Sequence, residues 1–287
     1  MMERGKQQRP TVRPESRASS FTGGARKWEC GRRLPQGDKI PQNFHIIMAV
    51  AAATSLLLAL PAPAFAMHIS EGLLPASWAL LWTAAAIPFV ALGLRDLRRR
   101  GEALPSFRPL ISLVGAAVFL ISCMPIPVPT AGTCSHPCGT GLAAILIGPG
   151  LTVVIASVAL TLQALFLAHG GLTTLGANIM AMGVAGAYVG WGTYRIACRL
   201  GLPWQAAAFL AGLLSDWATY ATTSFELAAA LHGSAPLTTF FTLILLAFVP
   251  TQLPLGILEG ILCAGALKFI RDRKPELLRE TAPGGTG

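Results

Sequence analysis

The chain has 287 residues, of which 53% are hydrophobic and only 12% charged, and its mean hydropathy is +0.58. That balance excludes an ordinary soluble domain and points to a membrane protein. The formal charge of +9 does not argue for nucleic acid: residues 1–66 carry ten Lys/Arg against four Asp/Glu, which leaves +3 for residues 67–287.

Residues 1–45 are rich in Arg, Ser, Gly and Pro and read as a basic, disordered leader extension. They are long for a signal n-region, so the translation start is open, with Met48 an alternative whose n-region is poor in charge. Residues 46–66 form an apolar h-region that ends in Ala64-Phe65-Ala66, the form of a signal-peptidase site. Cleavage after Ala66 makes Met67 the mature amino terminus and puts His68 second. The Met67 amine, the His68 backbone nitrogen and His68 Nδ1 then close a five-membered and a six-membered chelate ring. Ni²⁺ and Cu²⁺ most readily displace the amide proton that this requires, and Co²⁺ does so less readily. Three coplanar nitrogens suit the tetragonal preference of such ions and leave room for a fourth. The alternative is that His68 is a polar residue at a membrane interface.

Residues 67–270 read as a transmembrane domain and 271–287 as a cytoplasmic tail. The apolar pattern predicts an all-α membrane protein with about seven spans, near 76–94, 107–124, 139–149, 151–168, 176–198, 203–229 and 237–267. The third is short and ends at Gly148-Pro149-Gly150, as expected of a broken helix beside a cavity. Arg95 and Arg98–Arg100 follow the first span, Arg195 and Arg199 close the fifth, and Lys268, Arg271, Arg273 and Lys274 follow the last. Seven spans put all these clusters on one side, the cytoplasm, and the mature amino terminus outside. Ala177, Ala181 and Ala185 recur at every fourth position, and Gly186 and Gly190 form a GxxxG pair suited to close helix packing.

Between the second and third spans lies a turn-rich loop, residues 125–141, whose one histidine is His136. Its imidazole is the candidate fourth nitrogen. Cys134 and Cys138 flank it, which leaves open a thiolate-rich zinc or copper site or a disulfide on an oxidising face. His169 stands at a span end as a ligand-supporting or interfacial residue; His232 in an outer loop and His45 in the leader carry less. Glu71, Asn178, Asp216, Glu226, Gln252 and Glu259 are polar groups in apolar surroundings, where a cavity role competes with plain helix–helix bonding. Asn178 is positioned to orient a ligand histidine through its amide.

These segments resemble a known family. Met67-His-Ile-Ser-Glu-Gly-Leu-Leu-Pro75 is similar to the mature start of the M-type substrate-capture subunits of energy-coupling factor transporters for cobalt and nickel. Gly132–Leu142 resembles their histidine loop, Gln163–Asn178 their most recognisable membrane segment, and Leu253–Gly260 their last helix. The resemblance covers residues 67–267 and not the leader. It implies a seven-helix bundle like the substrate-binding components of such transporters, with one extra amino-terminal helix. It implies that the Met67 amine, His68 (backbone and side chain) and His136 hold the metal in a square plane. Partners implied are a transmembrane T subunit, a separate ATPase and a small auxiliary membrane subunit, in a bacterial inner membrane. Cys134 and Cys138 depart from the family pattern, which favours Ser or Thr near the loop histidine.

The expected function is capture of Co²⁺ for cobalamin synthesis, with the metal as cargo and no resident cofactor, and no enzymatic activity of its own. The short ending after Lys268 favours cobalt, while the chelate geometry leans to Ni²⁺, the alternative cargo. A proton-coupled permease using Asp216, Glu226 or Glu259 is a rival, although no internal repeat supports it. A zinc metalloenzyme is a second, without an HExxH-type motif.

Overall fold

The computed structural model describes residues 68–103, 107–124, 126–127 and 134–274; the expected leader, Met67 and the chain beyond Lys274 lie outside the described residues. Each expected apolar segment is helical. The helices are α1 (Ala76–Ala103), α2 (Phe107–Ser122), α3 (Thr140–Ile147), α4 (Pro149–Phe166), α5, α6 (Trp204–Leu231) and α7 (Leu237–Arg273). The α5 run is continuous but changes pitch, from α-helical Leu175–Asn178 through π-helical Ile179–Gly186 to α-helical Ala187–Arg199. Among the described residues the remaining regular element is a two-residue antiparallel ladder, β1 (Ile126–Pro127) on β2 (Cys134–Ser135).

Three helices are each long and apolar enough to cross a bilayer: α1 as far as Glu102, α4 and α7. α1 runs past the expected end at 94 through the Arg95–Arg100 cluster, and α7 continues past 267 to Arg273. Their lipid-facing sides are apolar, with Leu80, Ile87 and Leu243 exposed. The third expected segment, 139–149, is short and broken, as its Gly148-Pro149-Gly150 end implied. α3 has only eight residues, about 12 Å of helix, and does not cross a 30 Å core. Glycines in positive-φ conformations bound it, Gly139 at +70° and Gly148 at +91°, and Pro149 starts the next helix. The missing depth is filled by the loop before it, whose residues 135–139 are all buried.

The start of α3 is capped from across the bundle. Glu259 on α7 accepts the Cys138 N–H at 2.7 Å and the Gly139 N–H at 2.9 Å, so a carboxylate satisfies donors at the positive end of the helix. At the other end, Arg100 donates to the Ile147 carbonyl at 3.4 Å and pairs with Asp96. Arg271 of α7 lies over the Trp204 ring at the start of α6. α4 leaves the Arg100 end and α5 returns to Arg199, so the loop joining them, with His169, sits at the end opposite the basic clusters.

Small residues set the central crossing. A Cβ at Gly190 would lie 3.0 Å from Gly141 Cα and 3.1 Å from Ser215 Cβ, and one at Gly186 would lie 2.7 Å from Thr219 Oγ1. Ser215 Oγ bridges the helices, donating to the Gly186 carbonyl at 2.9 Å with Thr140 Oγ1 at 3.2 Å. The GxxxG pair thus packs inside the bundle, against α3 and α6. Gly190→Val should destabilise the protein by about 1–3 kcal/mol through overpacking. Gly192→Ala, with nothing within 4 Å of its Cβ position, should stay within about 0.5 kcal/mol. Thermal unfolding in detergent compares the two.

Candidate metal centre

The segment from His68 to Pro75 has no regular structure of its own, and most of its fixed polar contacts come from the α4–α5 loop and the first turn of α5. Asn178 brackets the Ile69 backbone: Oδ1 accepts the Ile69 N–H at 2.8 Å and Nδ2 donates to the Ile69 carbonyl at 3.1 Å. Thr174 Oγ1 donates to the same carbonyl at 2.6 Å. Thr173 N–H donates to Glu71 Oε2 at 3.2 Å. The glycines between make room: a Cβ at Gly170 (φ +78°) would sit 3.3 Å from His68 Cβ, and one at Gly171 would sit 2.6 Å from Glu71 Cα. Each residue of the His169–Asn178 motif that makes these contacts therefore has a stated job, which is to receive the amino-terminal strap. Ile69 and Leu74 are buried beneath it with Ala79, Ala177 and Leu227 as a small apolar cluster.

The strap brings His68 to the other two histidines. His68, His136 and His169 have ring centroids 4.9–5.0 Å apart, and one ligand nitrogen of each lies within 4.8 Å of the others. His68 and His136 are each 2% exposed, and His169 is half-buried. The His136 tautomer follows from its partners. Nδ1 faces the Pro137 carbonyl at 3.1 Å, an acceptor only, so Nδ1 carries the proton and Nε2 the lone pair. That lone pair accepts from His169 Nε2–H at 3.0 Å. A metal at His136 Nε2 takes the place of this proton.

Gln163 on α4 is a site residue that the sequence reading did not single out. Its Nε2 donates to the Ser122 carbonyl at 3.1 Å and Ser122 Oγ at 2.9 Å, so the amide oxygen is its uncommitted end. That oxygen and His68 Nε2 are both buried without a hydrogen-bond partner. The Gln163 side chain acts on the His68 ring in the direction that favours its proton. A proton kept on Nε2 toward Gln163 leaves His68 Nδ1, the chelating atom, free. The available signal was a fully buried amide within an apolar helix.

Burial, then the neighbouring His136 and His169, push the His68 imidazole well below its ordinary range. Burial first and His169 second push His136 down to about 3, and burial lowers His169. All three rings are neutral near pH 7, the form in which imidazole binds metal.

Other expected residues fall elsewhere. Glu71 is exposed and ties the strap instead of lining a cavity; the Thr173 hydroxyl, then its N–H, hold its carboxyl below the usual range. Asn178 grips the main chain beside His68 and makes no hydrogen bond to a histidine ring among the described contacts. Cys138 groups with Asp216 and Glu259, not with the imidazoles. The Cys134 backbone lies in β2, while its side chain, and with it the expected disulfide or thiolate pair, lies outside the described residues. His232 caps a turn by bonding the Ala235 carbonyl, away from the cluster.

Asn178→Ala removes both bonds to Ile69, and a loosened strap should lower metal affinity 10–100-fold, as loss of groups that orient ligands typically does. Isothermal titration with Co²⁺ measures this, and limited proteolysis before Leu74 should accelerate in the same variant. The pH response of the metal-free protein follows from neutral buried bases. Their folded pKa values lie below the unfolded value of about 6.5, so the unfolded state binds more protons in between. Stability should hold above about pH 6.5 and fall as pH drops through that window, toward about 3 for His136. His136→Gln should flatten the fall in thermal midpoint between those limits.

Residues 68–277 match the family model described as the cobalt uptake substrate-specific transmembrane region. The chain is 59% identical over 212 residues to the cobalt transport protein CbiM of Sorangium cellulosum, covering 74% of this chain and 94% of that one. It is 46% identical over 214 residues to the CbiM protein of Salmonella typhimurium, covering 74% and 86%. A crystal structure of a truncated transition metal transporter shares the fold with a TM-score of 0.62 at 24% identity, over 71% of this chain and 98% of that one. The chain belongs to the CbiM family of cobalt-uptake substrate-specific transmembrane regions.

Proposed function

We propose that this chain is the metal-capturing membrane subunit of an ATP-driven energy-coupling factor importer for Co²⁺, which feeds cobalamin synthesis. The observation that carries the reading is the three-imidazole cluster, in which His68 is delivered by a strap seated on Asn178, Thr174 and Gly171. In this reading signal cleavage frees the Met67 amine, which joins the His68 amide nitrogen, His68 Nδ1 and His136 Nε2 around the metal. The basic ends of α1, α5 and α7 face the cytoplasm of the inner membrane and the strap faces outward. The chain has no hydrolytic role: a separate ATPase acts through a transmembrane T subunit, with a small auxiliary membrane subunit. Relatives named as cobalt transport proteins support cobalt as cargo. The nitrogen-rich square plane favours nickel as the second reading.

The test is cobalt uptake in cells that carry the partner subunits. His68→Ala and His136→Ala should each reduce uptake to background, and normal uptake by either would overturn the site. Excess Ni²⁺ should compete weakly; equal competition would favour the nickel reading. Uptake into vesicles that hold this chain alone, driven by a proton gradient, would favour the permease with its buried acids.

A further inference from the structure

A second group of metal-ligating atoms lies beyond the imidazoles, and the capture site does not use it. Cys138 Sγ, a carboxylate oxygen of Asp216 on α6 and one of Glu259 on α7 all lie within 4.8 Å of one another. The three residues are at most 2% exposed. Glu259 is held in place, each of its oxygens accepting one backbone N–H of the loop and keeping a further lone pair. Asp216 is different: both of its oxygens are buried, no group outside the cluster bonds them, and its polar neighbour is the Glu259 carboxyl. Gly256 leaves it space, since a Cβ there would lie 3.2 Å from Asp216 Oδ2. The salt bridges among the described residues, Arg100–Asp96 and Lys268–Asp272, bring no side-chain cation to these acids. Two carboxyl groups so enclosed need protons or a cation to offset the loss of water.

We propose that Cys138, Asp216 and Glu259 form a second binding site for a divalent transition ion, next to the histidine site on the way to the basic end of the bundle. One thiolate and two carboxylates make three protein ligands with an open position. Sulfur in the set selects borderline ions such as Co²⁺ or Zn²⁺ over Mg²⁺. Metal–ligand distances of about 2.0–2.3 Å would put neighbouring ligand atoms roughly 3.3–3.8 Å apart, within the 4.8 Å limit that these three atoms already meet. Asp216 stands 12 residues, about 18 Å, into α6 from Trp204, and Glu259 stands 14 residues, about 21 Å, before Arg273. Cys138 follows His136 by two residues, a chain reach of about 7 Å. The identity of the ion rests on the cobalt-capture reading; the existence of the site does not.

The experiment is a Co²⁺ titration of the purified, processed full chain in detergent, which counts bound metal and records thiolate-to-cobalt charge-transfer absorption. The expected result is a second equivalent of Co²⁺ accompanied by that absorption. Asp216→Asn should lose the second equivalent and keep the first, and Cys138→Ser should lose the absorption. His136→Ala should abolish uptake and the first site while the thiolate absorption remains, which separates this proposal from the capture reading. A folded wild-type protein that binds one equivalent without thiolate absorption would overturn it, as would an Asp216→Asn variant with undiminished stoichiometry. If either variant fails to fold, the wild-type count and spectrum decide alone.

Discussion

The grip of Asn178 and Thr174 on the backbone of Ile69 is the interaction on which the site depends. The strap residues 68–75 lack an element of their own, so their ordering must be offset by contacts made elsewhere. A carboxamide that accepts from one backbone N–H and donates to the same residue's carbonyl fixes both position and direction of the main chain. A third bond, from Thr174, completes the hold on that carbonyl. Because the grip is on Ile69, the residue before it has one place to go, among His136 and His169. The apolar side chains of Ile69 and Leu74 add burial on the other face of the strap.

The imidazole cluster is built from three separate pieces of chain, each constrained differently. His68 comes on the strap, His136 on a loop anchored by Glu259, and His169 on the turn after α4. A neutral pair formed by His136 and His169 shares one hydrogen bond, so the metal-free centre keeps its polar atoms largely satisfied while remaining ready to exchange a proton for an ion. His68 Nε2 and the Gln163 oxygen are the exceptions, both buried outside any well-formed hydrogen bond.

Much of this was legible in the chain. Hydropathy located every helix, because in lipid the backbone must be bonded within each segment and long apolar runs have few alternatives. His68 and His136 stood out because transition metals take nitrogen ligands, and turn residues bracket the loop that carries one of them. The Gly148-Pro149-Gly150 break marked the end of α3, but its start was less legible, since Glu259, 120 residues beyond Gly139, is what ends the loop and starts the helix. A long separation in sequence likewise hid Gln163 from His68. The use of His169–Asn178 as a receptor was also hidden, since hydrogen bonds between a side chain and a remote backbone leave no spacing pattern. Cys138 shows the reverse, for it stands near His136 in sequence while its thiol groups with Asp216 and Glu259.

The cap that Glu259 places on α3 has a mechanical consequence. The two N–H groups it holds belong to the second and third residues after His136, and the carboxylate rides on a single 37-residue helix that emerges at the basic end of the bundle. Sliding or turning α7 therefore drags the histidine loop or breaks two buried, charge-assisted bonds. One carboxylate thus ties the loop that carries His136 to the helix that ends in Arg271 and Arg273.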